Sequence, residues 1–204
     1  MARLLGANLL HPDVAVVTDH EAQGARHDRL AVDAAVAADQ AVLDTRLEVE
    51  DLAAAEHIIG ASVPTHMPDD LEHFLEYRIA DLSADPSWQP WLGRAIVLEE
   101  RGSRRVIGSI GFHSPPDASG RVEIGYRVEA EFRRQGVATE AVQALFEWAW
   151  REHGVTRFRA STAPDNLASQ GVLARFGFRR AGVQMDDYDG PELIFERDDW
   201  SPEG

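Results

Sequence analysis

Six consecutive residues, Arg133-Arg134-Gln135-Gly136-Val137-Ala138, carry the sharpest chemical signal in the sequence. They follow a run with strand periodicity and open one with helical periodicity. At such a junction the free backbone N–H groups and the positive end of the helix favour a phosphate. Gly136 lets backbone approach an oxygen closely, Ala138 leaves room beside it, and Arg133, Arg134 and Gln135 add donors. Taken alone, the same residues also fit a basic helix start that needed only a tight turn. Other polar residues nearby are able to handle protons. Glu123 shares one face of the preceding strand with Gly125 and Arg127, while Val122, Ile124 and Tyr126 share the other. A Glu in that pattern more often faces solvent. His113, just after Gly111-Phe112, is either an ordinary loop-edge histidine or a proton acceptor that needs little adjustment near neutral pH. Asn166 reads as a helix cap, and Ser169, one turn later, as a first-turn hydroxyl or a donor to a ligand.

The elements that position these residues follow from periodicity. Residues 42–49 read as a strand, and residues 50–59 repeat apolar side chains at helical spacing. A second helix starts at Pro68 or Asp69, with Leu71, Phe74, Leu75, Ile79 and Leu82 on one face. Pro86, Trp88, Pro90 and Trp91 mark residues 85–92 as a loop. Strands are expected over 95–98, 106–112 and 122–128. The longest helix follows, its core stripe set by Ala138, Ala141, Val142, Leu145 and Ala149, and it stops at Gly154. Then come a strand over 155–161, a helix over 166–176 closed by Gly177, and strands over 178–187 and 192–196 joined near Asp189-Gly190. Antiparallel pairs combined with a strand–helix–strand crossover predict an α/β fold of the α+β kind, with a mixed sheet and helices on both faces.

Composition narrows the chemistry. The 204 residues include 20 Lys and Arg against 35 Asp and Glu, a formal net charge of −15. That balance repels nucleic acid and anionic membrane except at local basic spots, and it suits a cationic substrate. With no cysteine, disulfides, thiolate metal sites and a cysteine nucleophile are excluded. Residues 1–10 make a poor secretory signal and no run of about 18 apolar residues occurs, so a cytoplasmic protein is expected. Residues 1–40, rich in Ala and Asp, form an N-terminal extension whose role is not readable: the alanine-heavy stretch over 31–38 suits an accessory helix or a tail. One domain is expected over 41–204.

The junction motif, with Val122-Glu123-Ile124-Gly125-Tyr126 before it and Ala138-Thr139-Glu140-Ala141 opening the helix, resembles the GNAT superfamily of N-acetyltransferases. The signature of that family is Gln/Arg-x-x-Gly-x-Gly/Ala. Downstream, Asn166-Leu167-Ala168-Ser169 and Val172-Leu173-Ala174-Arg175-Phe176-Gly177-Phe178 resemble its second signature region. The likeness covers roughly Val42 to Trp200 and leans to the branch that includes ribosomal-protein N-terminal acetyltransferases. It implies a mostly antiparallel mixed sheet splayed between the fourth and fifth strands, here residues 122–128 and 155–161. It further implies acetyl-CoA as co-substrate and no metal. The pyrophosphate would be held over Arg133, Arg134, Gln135, Gly136, Val137, Ala138 and Thr139. The pantetheine arm would pair with Tyr126 and Val128 and touch Asn166. The implied reaction is direct transfer of an acetyl group to a primary amine, on a protein N-terminus or a small molecule. Glu123 is the expected base, with His113 as the alternative. A backbone N–H near Tyr126 or Arg127 would meet the oxyanion. Where many members place a Tyr beside the thiolate this chain has Leu173; the ribosomal branch suggests Ser169 as a hydroxyl that would donate to the sulfur. The acceptor pocket is expected from the helices over 50–82, the loop over 85–92 and the terminal hairpin. His66, Met67, Trp88 and Trp91 are available to line it, and Asp186, Asp187 and Asp189 to attract an ammonium. A longer acyl-CoA as donor, or a CoA-binding regulatory module without turnover, are the alternatives. A monomer or homodimer is expected.

Overall fold

The computed structural model describes residues 16–19, 52–100, 102–186 and 190–203. The strand expected over 42–49, the alanine-rich stretch over 31–38, Asp187 and Asp189 lie outside the described residues. The chain divides into two compact units, Met1–Ser109 and Ile110–Gly204.

In the first unit, strand β1 (Val16–Asp19) pairs in parallel with β2 (Arg94–Glu100), in register from Val16 opposite Ile96 to Asp19 opposite Glu99. A sheet element therefore lies within the first forty residues, whose role the sequence left unreadable. Helices α1 (Leu52–Ile59) and α2 (Met67–Ala84) form where helical spacing predicts them. Pro68 falls in the first turn of α2, where its missing N–H costs nothing. Between them Ser62 bridges in parallel to Arg105, and the Ser62 carbonyl accepts from the Val106 N–H at 2.8 Å. Ile59, Ala61, Met67, Ala95, Val97 and Val106 close a core there, with Val63 against it. The expected loop is tightened into a 3₁₀ helix, Pro86–Trp91, started by the Asp85 side chain accepting from the Ser87 N–H. Trp91 and Met67 are buried and His66 is exposed, so two of the four residues considered for an acceptor slot are core. Arg94 is also buried. Its guanidinium donates to the Pro90 carbonyl, and burial pulls its pKa down to about 9.

Strand β3 (Ser103–Phe112) carries the chain into the second unit. That unit contains β4 (Arg121–Val128), α3 (Val137–His153), β5 (Arg157–Thr162), α4 (Leu167–Arg175), β6 (Arg179–Asp186) and β7 (Gly190–Arg197). The strand order β4-β5-β7-β6 makes β6 an edge. β4 and β5 run parallel, while β5–β7 and β6–β7 are antiparallel, so the sheet is mixed as expected. The helix stripe is correct for Ala141, Val142, Leu145 and Ala149, all buried, but Ala138 is only half-buried. Phe146, which the stripe omits, is the centre of the core. Its ring stacks on Phe158 at 3.8 Å between centroids and meets Trp200 edge-on at 5.5 Å. α3 stops where Gly154 turns left-handed (φ 66°). The Gly154 N–H donates to the Trp150 carbonyl and the Val155 N–H to that of Ala149.

Candidate active site

The registered pairs of β4 and β5 are Arg121 with Arg157, Val122 with Phe158 and Glu123 with Arg159, and they end there. Beyond Glu123 the two strands part, which is the splay that the family resemblance implied. Alternation then decides which backbone groups face the gap. The Glu123 carbonyl accepts from the His113 N–H at 2.8 Å, so it points away from β5. A residue's N–H and C=O leave an extended strand on the same side and its neighbours' leave on the other. Ile124, Tyr126 and Val128 therefore present their backbone to the opening, and Arg127 does not. One of these groups is taken: the Arg133 Nε–H donates to the Val128 carbonyl at 2.8 Å, which ties the cradle loop to the strand end.

Where β4 ends, a 3₁₀ turn (Ala130–Phe132) and a left-handed Arg134 (φ 60°) reverse the chain into α3. Gly136 occupies the N-cap of α3 at φ 91° and supplies no side chain to the helix end. The first helical bond is donated by the Glu140 N–H to the Gly136 carbonyl. The N–H groups of Val137, Ala138 and Thr139 are thus the orphan donors of an uncapped helix. A Cβ on Gly136 would meet nothing within 4 Å, so the space beside it is open. By contrast, α4 satisfies its own end, the Asn166 Oδ1 accepting from the Ser169 N–H at 3.1 Å.

A cleft of about 550 Å³ joins these parts. Tyr126, Val128, Arg133, Arg134, Gly136, Val137, Ala138, Thr139, Asn166 and Ser169 all line it, as do Arg127 and Arg175. Gln135 and Glu123 do not: the Gln135 amide donates to the Glu131 carbonyl at 2.7 Å. Ala138 lines the cleft, which explains its partial exposure. The Tyr126 hydroxyl crosses to α4 and donates to the Ser169 carbonyl at 3.4 Å, and burial raises its pKa, so it stays protonated as a donor. Leu173 is fully buried and contributes no polar group.

Glu123 points to the sheet face away from Tyr126 and is half-buried within a ring of side chains. The Ser161 hydroxyl donates to its Oε1 at 2.7 Å, and the Arg159 Nε lies 3.5 Å from its Oε2. The Gln184 amide closes the ring, accepting from Arg159 at 3.0 Å and donating to Ser161 at 3.1 Å. The same amide also donates to Glu192 at 2.8 Å. Sequence reasoning missed the Arg159, Ser161 and Gln184 partnership, because it draws on strands brought together only by the sheet. It also missed the setting of His113, whose Nε2 lies 2.7 Å from where a Cβ on Gly125 would stand. An isolated glycine inside a strand was the available signal, since it often marks such a close approach.

An uncapped helix end, an open cleft and a strand without its partner meet here, and their free donors are of the kind that suits an anionic group. The chain belongs to the family described as the acetyltransferase (GNAT) domain, which is matched over residues 29–179. It is similar to two uncharacterized N-acetyltransferases of Bacillus subtilis (strain 168). One is YjdG, 35% identical over 82 residues, covering 40% of this chain and 49% of that protein. The other is YoaA, 35% identical over 86 residues, covering 42% and 49%. The chain spans about half the length of the curated relatives it matches. The fold is also that of the ribosomal-protein-S5-alanine acetyltransferase from Vibrio fischeri. That likeness has a TM-score of 0.50 at 18% identity and covers 66% of this chain and 75% of that one. No helix among the described residues is long and apolar enough to cross a membrane.

Proposed function

We propose that the protein is an acetyl-CoA-dependent N-acetyltransferase that moves an acetyl group directly from CoA to a primary amine. The observation that carries this reading is the uncapped N-terminus of α3 opening into a cleft that runs to the unpaired edge of β4. Its residues fit the co-substrate: three orphan N–H groups and Arg134 suit the pyrophosphate, and the open space at Gly136 admits an oxygen. The arm's amides would pair with Tyr126 and the Val128 N–H, with Asn166 across the cleft. Arg133 contributes by fixing the loop through Val128 as well as by its charge.

Acetyl-CoA supplies an activated carbonyl and a thiolate leaving group, so the protein needs no nucleophile of its own. Of the backbone N–H groups named for the oxyanion, that of Tyr126 faces the gap and is the one we assign. Ser169 lies in the cleft lining and is our donor to the departing sulfur, with the Tyr126 hydroxyl beside it bonded to the Ser169 carbonyl. The cleft occupies the Tyr126 side of the sheet, so the amine reaches the carbonyl from the other side, where Glu123 and His113 lie. A net charge of −15 favours a cationic acceptor over an anionic one. A protein N-terminus or a small amine are both suitable, and a cytoplasmic site of action fits the supply of acetyl-CoA. The catalytic domain is taken to run over 41–204, with β1 as an added strand from the extension.

The test is thiol release from acetyl-CoA and from longer acyl-CoAs with a panel of amines and N-terminal peptides. We expect amine-dependent release from acetyl-CoA and an acetylated product by mass spectrometry. Tight CoA binding with no release above background for any amine would overturn the enzyme reading in favour of a binding module.

A further inference from the structure

We propose that His113 is the group that takes the proton from the acceptor ammonium, and that Glu123 pins the point at which β4 and β5 part. The proposal rests on the acetyltransferase reading and assigns a step within it.

The His113 N–H is bonded to the Glu123 carbonyl at 2.8 Å, which fixes its backbone beside β4. Its Nε2 occupies the space that a side chain on residue 125 would fill. The imidazole therefore rests on β4 two residues past the last β4–β5 pair, at the opening itself. It lies on the face opposite Tyr126 and the cleft, the side from which the amine must come. Gly125 is the permissive residue: only a missing Cβ lets the ring approach so closely.

Glu123 is held by its neighbours. Both its oxygens are engaged, one by the Ser161 hydroxyl and one by Arg159, and Gln184 closes the ring. These contacts join β4, β5 and β6 at the last paired rung, which is where a pin would be needed. Glu123 is thereby placed to hold the strands at that rung, whereas the imidazole of His113, a side chain suited to proton transfer near neutral pH, is the group at the opening. The charged groups of β4 and β5 on this face are Arg121, Glu123, Arg127, Arg157 and Arg159. Arg121 is paired with Glu196 and Asp198 and Arg157 with Asp198, and Glu196 of β7 stands opposite Arg159. Glu123 favours a charged imidazole and the arginines oppose it. His113 and Arg127 each keep further contacts of their own.

The balance of the step is simple. An ammonium N–H bond breaks, its electron pair stays on nitrogen, and the proton moves to the imidazole and on to water. That pair forms the N–C bond. The C–S bond breaks with its electrons on sulfur, and the second proton, released as the amide forms, goes to the thiolate.

Three variants test the assignment, each read as kcat, KM for acetyl-CoA and a pH profile of kcat/KM. The profile of the unaltered protein should show one limb that moves with the acceptor amine and one that does not. In His113→Gln we expect the fixed limb to vanish and kcat to fall by about a hundredfold or more, the scale of a lost general base. KM for acetyl-CoA should stay within about twofold, because the cradle is untouched. Gly125→Ala places a methyl 2.7 Å from Nε2, at the end of a movable side chain, so the ring is displaced while the backbone need not shift. It should lower kcat as His113→Gln does and add nothing in the double variant. Glu123→Gln should keep the fixed limb. The idea is overturned if His113→Gln retains that limb, if Glu123→Gln removes it, or if Gly125→Ala and His113→Gln are additive. No thiol release by the unaltered protein with any amine would instead remove the enzyme reading, and this step with it.

Discussion

Gly136 is held at φ 91° with nothing beside it, so its identity follows from backbone geometry and from the space it leaves, not from protein packing. A side chain there is strained, by roughly 1–2 kcal/mol for residues in the left-handed region. We expect Gly136→Ala to fold with a stability loss of that order, measured by urea unfolding. Gly136→Glu should fold as well but bind acetyl-CoA at least about a hundredfold more weakly, or about 2.7 kcal/mol. Calorimetry would show it, and unchanged affinity would remove the cradle. Arg133 illustrates how one residue can hold two tasks: its charge suits an anion, while its Nε–H is already committed to the Val128 carbonyl.

At the scale of elements, β4 is clamped at one end and open at the other. Near its start Arg121 pairs with Glu196 at 2.7 Å and with Asp198 at 2.8 Å, and Arg157 pairs with Asp198 at 2.9 Å. The turn into β4 is built on Asp117, whose Oδ1 accepts from the Ser119 hydroxyl and N–H and from the Arg121 N–H. Those bonds, the Ser119 hydroxyl first, pull its pKa down to about 2. The sign follows: a depressed carboxyl contributes stability above its ordinary value of about 3.9 and loses it as pH falls toward about 2. Asp198 is lowered too, by Arg157 first and then Arg121, and acts in the same direction. In Asp117→Asn the acid-side decline in the urea midpoint between about pH 4 and 2 should become shallower. An unchanged slope would mean that the turn does not couple to folding. The two helix ends divide in a similar way. α4 is closed by Asn166, and α3 has no side-chain cap.

Across the whole molecule, a chain of net charge −15 gathers Arg127, Arg133, Arg134 and Arg175 at the cleft and Arg121 and Arg157 at the clamp of β4. The residues of the cradle, the splay and the His113 contact all belong to the second unit. Saturating acetyl-CoA should therefore stabilise the full chain, by about 2.7 kcal/mol at a hundred times Kd. Hydrogen exchange should show new protection at the amides of Ala138, Thr139 and Tyr126. Protection confined to the first unit would contradict this placement of the site.

The sequence by itself determined the strand-to-helix junction at Arg133–Ala138, because Gly136 and the start of helical spacing fix local geometry within a few residues. It also determined most elements, since helical and strand spacing are local properties, and Gly154 and Gly177 end helices by their own backbone freedom. It placed Leu173 where a hydroxyl was expected, and that side chain is core. Tertiary structure decided the rest. The Glu123, Arg159, Ser161 and Gln184 ring, the β1 pairing with β2, and the Tyr126 reach to α4 join residues far apart in the chain. Phe146 belongs to the core because Phe158 and Trp200 meet it, which periodicity along one helix does not encode. The place of His113 against Gly125 depends on two strands lying side by side, and no spacing in the sequence specifies that contact.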